Sequence, residues 1–121
     1  MNETLRTLNL ESNNITSSGN DQSGAIALSN ALKKNQNLIV LNLTRNHITP
    51  QGGAELEQAM HKNKSLTMLD LSGNELSVDE LNATESLIQV NRKRQRHGVA
   101  HPGQQEEPIS VVEGTILREA M

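Results

Sequence analysis

The sequence predicts a right-handed α/β solenoid of about three strand-helix repeats, with the strands in one parallel sheet. Three observations predict it. The motif L-x-x-L-x-L-x-x-N-x-[IL] occurs three times, with starts at Leu5, Leu38 and Leu66 that lie 33 and then 28 residues apart. Inside each copy apolar and polar residues alternate with period two, which marks a half-buried strand. After each copy come apolar residues at helical spacing. Such a unit cannot bury its apolar face alone, and stacking solves that.

The first copy is Leu5, Leu8, Leu10, Asn13 and Ile15; the second is Leu38, Leu41, Leu43, Asn46 and Ile48; the third is Leu66, Leu69, Leu71, Asn74 and Leu76. The leucine pair of each strand points inward and its neighbours point outward. The motif asparagine closes the strand, where its amide is expected to satisfy its own turn and the following repeat. A further asparagine stands three residues before each first leucine, at Asn2, Asn35 and Asn63.

Helices follow. Ser23-Gly24 opens the first, with Ala27, Leu28, Ala31 and Leu32 as its expected apolar face. Thr49-Pro50 opens the second as an N-cap followed by proline at the first helical position. Its face is Leu56, Ala59 and Met60. Ser77 and Glu80 form a capping box for the third, which carries Leu81, Leu87 and Ile88. Strand, helix and strand at a fixed period give parallel strands joined by right-handed crossovers. The repeats are expected near 2–34, 35–62 and 63–91.

These residues resemble leucine-rich repeat proteins of the ribonuclease-inhibitor-like type. Ile48 to Met60 is similar to the helical half of repeats in NOD-like receptors and ribonuclease inhibitor. Leu5 to Asn13 is similar to one repeat of tropomodulins, which cap actin filaments. The resemblance covers roughly residues 2–91 and rests on structural positions.

Departures from the pattern are informative. The first repeat carries extra residues within Ser17–Ser23, read as a surface loop or a contact loop on one rim. The third helix has Glu80 where the others have Gly24 and Gly52, and Thr84 where they have Leu28 and Leu56. A next strand would need leucine at 94, 97 and 99, where Arg94, His97 and Val99 stand, so the solenoid is expected to end after the third helix. The chain starts in mid-motif, which suggests either a fragment of a longer solenoid or an open edge that docks on another chain. Marginal stability is expected of three repeats.

Residues 92–121 read as a basic cluster and a disordered tail with short apolar patches at Ile109–Val112 and Ile116–Leu117. Arg92, Lys93, Arg94 and Arg96 read first as a solvated charge run that complements the end of the third helix. A nuclear localisation signal is the next reading. Nucleic acid comes last, because no aromatic residue is present for base stacking.

Composition narrows the function. There is no cysteine and no aromatic residue, the net charge is -3, and mean hydropathy is -0.56. Disulfide frameworks and thiolate metal sites are therefore out. No apolar run approaches the roughly 20 residues of a membrane span. No signal peptide is visible, so the sequons at Asn2, Asn14, Asn42, Asn63 and Asn82 read as accidental. The expected compartment is the cytoplasm, with the nucleus as an alternative. His47, His61, His97 and His101 share no metal-ligand spacing. No nucleophile elbow or phosphate-binding glycine loop occurs, so neither an enzyme nor a cofactor is expected.

What remains is the concave face. Its outward strand positions form a grid: Thr7, Val40 and Met68; Asn9, Asn42 and Asp70; Glu11, Thr44 and Ser72, with Arg45 beyond the last row. The expected function is a non-enzymatic module that binds a protein partner through this face and its adjoining loops. The resemblance also admits a GTPase regulator of RanGAP-like type or an actin-binding, tropomodulin-like fragment.

Overall fold

The computed structural model describes residues 2–98. Strands β1 (Thr7–Asn9), β2 (Val40–Asn42) and β3 (Met68–Asp70) alternate with helices α1 (Ser23–Lys34), α2 (Pro50–Lys62) and α3 (Val78–Gly98). The sheet is parallel, in the order β1-β2-β3. Thr7, Val40 and Met68 share one register row, Leu8, Leu41 and Leu69 the next, and Asn9, Asn42 and Asp70 the third. The ladder runs on past the strands. Ser12 N–H donates to Thr44 O at 2.9 Å and Arg45 N–H to Ser72 O at 3.0 Å. The helices stack in the same order, α1 on α2 and α2 on α3.

The motif leucines and helix faces make one core, with Leu41, Leu43, Ile48, Leu56, Leu66 and Ile88 fully buried. Each stacked unit covers its neighbour, as the lone unit could not.

Two rows of asparagine side chains bind the stack. Asn46 Oδ1 accepts from the N–H groups of Asn13 and Ile15, at 3.0 and 3.3 Å. Its Nδ2 donates to Leu10 O, Leu43 O and Thr44 O. Asn74 repeats this one unit later, on Asn46 N–H, Ile48 N–H, Leu43 O and Leu71 O. The inter-repeat bonds thus run to the preceding repeat, not to the following one as expected. Parallel stacking is the reason, because the amide of each turn faces back over the turn before it. The second row joins Asn35 to Asn2 O, Asn63 to Asn35 O and Asn91 to Asn63 O.

Several local expectations change. The buried face of α1 is Ala25, Ser29 and Leu32, with Leu28 half-buried and Ala27 and Ala31 exposed. Among the described helices α1 packs only on α2, so the stripe turned toward α2 is the one that is covered. Thr49 does hold the N-cap position before Pro50, but its side chain makes no cap bond. Ser77 and Glu80 make the full reciprocal box, with bonds of 2.7 and 3.1 Å. The inserted loop is pinned rather than free. Thr16 is fully buried and its hydroxyl donates to Asn46 O and His47 O, while Gln22 Oε1 accepts from Thr49 N–H.

α3 continues through Gly98, beyond the boundary expected at residue 91, so the basic cluster extends the third helix. Arg92 is anchored there, with its Nε on Thr67 O at 2.7 Å and its Nη1 on Glu85 at 2.9 Å. The tail and apolar patches expected beyond it lie outside the described residues.

Candidate functional site

The outward strand positions come together as a grid on the side of the sheet away from the buried leucines. Thr7, Asn9, Glu11, Met68, Asp70, Ser72 and Arg45 are exposed, Val40 and Asn42 are half-buried, and Thr44 is buried. Met68 is 52% exposed beside Val40, and these two make the apolar corner of the grid.

The middle row is fixed by its own side chains. Asn9 Oδ1 accepts from Glu11 N–H at 2.9 Å. Asn42 Oδ1 accepts from Thr44 N–H and Oγ1 at 2.9 and 2.6 Å. Asp70 Oδ1 accepts from Ser72 N–H and Oγ at 3.0 and 2.6 Å. Each side chain closes a turn two residues ahead, which is the Asx arrangement. The hydroxyl of Ser72, and after it the Ser72 N–H, holds the Asp70 carboxyl below the usual carboxylate range. Burial works weakly against this shift, and the Thr44 hydroxyl adds to it.

The two carboxylates of the grid, Glu11 and Asp70, are held differently. Glu11 is bridged by Arg45 Nη1 at 2.7 Å and by Asn42 Nδ2 at 3.3 Å. Asp70 keeps its charge without an ion pair among the described residues. Arg45 takes up this bridge from a left-handed backbone, with φ 56. Ser12 and Gly73 hold the same motif position with φ 58 and 70. Its stem crosses Gly73, where a Cβ would come within 2.8 Å of Arg45 Cγ.

Beside Asp70 and Ser72 the sheet edge opens into a cleft of about 230 Å³, lined also by Leu69, Leu71, Leu81, Asn82, Thr84 and Glu85. The sequence reading missed this cleft. Its signal was Thr84, which stands where a leucine would have filled the space.

The described residues contain no group of three His, Asp or Glu side chains placed to hold a metal ion. No described helix is long and apolar enough to cross a membrane. None of the curated proteins compared matches the chain. A family profile described as Leucine Rich repeat matches residues 2–19, 34–56 and 62–79. Those three stretches contain the three strands with their asparagine turns. By motif, sheet and profile together, the chain folds as a solenoid of leucine-rich repeats.

Proposed function

We propose that the chain is a non-enzymatic interaction module that takes a protein partner on its concave strand face and the adjoining cleft. The observation that carries this is the rigidity of the grid. The polar side chains of its middle and last rows are tied by short bonds to the next turn or the next strand, so they present fixed donors and acceptors without further ordering cost. Met68 and Val40 supply an apolar contact beside that polar pattern. Arg45 adds a charged group held from a backbone conformation that costs a non-glycine residue roughly 1–2 kcal/mol. We assign the repeats to the ribonuclease-inhibitor-like type, because full helices of 12 and 13 residues close the first two units. Absence of cysteine supports a reducing compartment, hence the cytoplasm or the nucleus.

The test compares variants. Proteins captured on the wild-type chain are quantified against those captured on a Met68→Asp, Asp70→Arg double variant and on an Ala54→Arg control on the exposed face of α2. A partner lost tenfold or more by the double variant and kept by the control supports the concave site. Equal capture by all three sinks it.

A further inference from the structure

The stack sorts charge by edge, and the sequence does not show this. The edge at issue holds the helix C-termini and the starts of the strands. Arg6 precedes β1, and Lys33 and Lys34 close α1. Lys62 ends α2, Lys64 follows it, and Lys93, Arg94 and Arg96 lie in the last turns of α3. Glu3 is the one carboxylate in the segments that form this edge, and among the described residues none of these cations is in an ion pair. The opposite edge, with the helix N-termini, carries Glu11, Asp21, Asp70, Glu75, Asp79 and Glu80 against one Arg or Lys, Arg45.

Helix dipoles account for only a little of this. Three helix C-termini bring about half a negative charge each, so one or two cations would offset them. Residues 2–98 carry ten Lys and Arg against ten Asp and Glu, so the net charge of -3 falls in residues 99–121, and within the described residues the carboxylates of the opposite edge do not shield the basic one. The 13 residues of α2 separate the two edges by about 20 Å, more than twice the Debye length of about 8 Å at physiological salt. Among the described residues, a polyanion that approaches the basic edge meets no carboxylate there but Glu3.

Shape narrows the partner. The Asn35-Asn63-Asn91 row sets the three units level. α2 ends at this level and α3 runs on through Gly98, which projects it by about 10 Å. The result is a corner, with Lys33, Lys34, Lys62 and Lys64 on its shelf and Arg94 and Arg96 on the flanks of its upright. Arg94 is turned back onto Asn91 Oδ1 at 3.0 Å, while Lys93 lies on the side of α3 opposite the buried Thr84, Ile88 and Asn91. A flat lipid surface would meet the tip of α3 and stand off from the shelf. A narrow polyanion can lie along both walls. Stacked helices place the shelf cations about 10 Å apart, with nothing but charge repeated. A phosphodiester strand presents charge at every step whatever its sequence, whereas an acidic peptide must match that spacing.

We propose that this corner binds the phosphate backbone of nucleic acid without reading bases. The basic run taken alone argued weakly for this. The shelf lysines, scattered along the sequence and gathered by the stack, change the weight.

The test measures binding of fluorescein-labelled oligo(dT) to the full chain by anisotropy. Affinity should fall roughly 50-fold between about 50 and 200 mM salt, as about four neutralised phosphates on a single strand require. Reversal of the shelf (Lys62→Glu with Lys64→Glu) and of the upright (Arg94→Glu with Arg96→Glu) should each weaken binding tenfold or more, with unchanged melting by circular dichroism. The concave variant Met68→Asp with Asp70→Arg should bind as wild type. Undetectable binding at low salt overturns the proposal. So does a shelf variant that binds normally, since a charge run on α3 alone would then suffice. Equal affinity for polyglutamate or for phosphatidylserine vesicles overturns it in favour of an acidic protein or a membrane.

Discussion

The first and second repeats share every motif residue, and the structure treats them differently. Leu41 is fully buried, whereas Leu8, its partner in the same register row, is only half-buried. Asn46 makes five hydrogen bonds through its amide, two accepted and three donated, and Asn13 donates one, to Glu11 O. The difference is one of neighbours. The second repeat is covered on both sides, and among the described residues the first is covered on one. A motif residue therefore has no fixed worth; its worth is set by the units stacked against it, as in a one-dimensional array.

The largest effect that would break this comparison is a cavity in the middle strand. Leu41→Ala removes a fully buried side chain and should cost about 3–5 kcal/mol, with Leu8→Ala at about half that or less. Urea unfolding followed by circular dichroism would measure both. Equal costs would mean that stacking does not set burial energetics here.

The asparagines give a smaller and more specific contrast. Asn46→Ala strips partners from the N–H groups of Asn13 and Ile15 and from the carbonyl of Leu10. Buried or half-buried groups left unpaired cost about 1–3 kcal/mol each when water cannot reach them, so a total of roughly 2–4 kcal/mol is expected. Asn13→Ala loses one exposed bond and should cost under about 1 kcal/mol. Hydrogen exchange sharpens the reading. In Asn46→Ala the amides of Asn13 and Ile15 should lose protection while that of Ile48, held by Asn74, keeps it.

The fold was legible because its signal is periodic. Leucines two apart fixed the strand faces, and Asn13, Asn46 and Asn74 fixed the strand ends. The direction of the asparagine bonds was not legible, because a single repeat cannot say which neighbour its amide reaches. Asn91 could have been found, since it lies 28 residues after Asn63, but the charge run behind it drew the reading toward a tail. The extra residues within Ser17–Ser23 read as an insertion, and the anchoring of that loop by Thr16 and Gln22 needs the second repeat in place. On the candidate face the grid rows followed from register alone. The Arg45–Glu11 bridge did not, because it joins residues 34 apart in sequence. Nor did the basic edge, which exists only once the three units are set level and α3 runs on past them.

The smallest effect tests whether the units are equivalent at the grid itself. Asn42 and Asp70 make the same pair of bonds, to the N–H and hydroxyl two residues ahead, yet only Asp70 titrates. Its carboxyl is held below the ordinary value of 3.8 by the Ser72 hydroxyl and N–H. A group whose folded pKa is depressed adds stability that is fully present above the unfolded value and is lost as pH falls through the folded one. Asp70 is exposed, so the contribution is small after solvent screening. Melting temperature measured from pH 6 down to below 3 should therefore drop slightly more for the wild-type chain than for Asp70→Asn, with the divergence opening below pH 4. The asparagine keeps both bonds at every pH, as Asn42 already does. If the two curves run parallel, the Ser72 bonds survive protonation of Asp70 and the third rung of the grid is equivalent to the second. If they diverge, the rung at the cleft is the one an acidic medium loosens first, and a partner seated on Asp70 and Ser72 should dissociate in the same window while one seated on Asn9 and Asn42 should not.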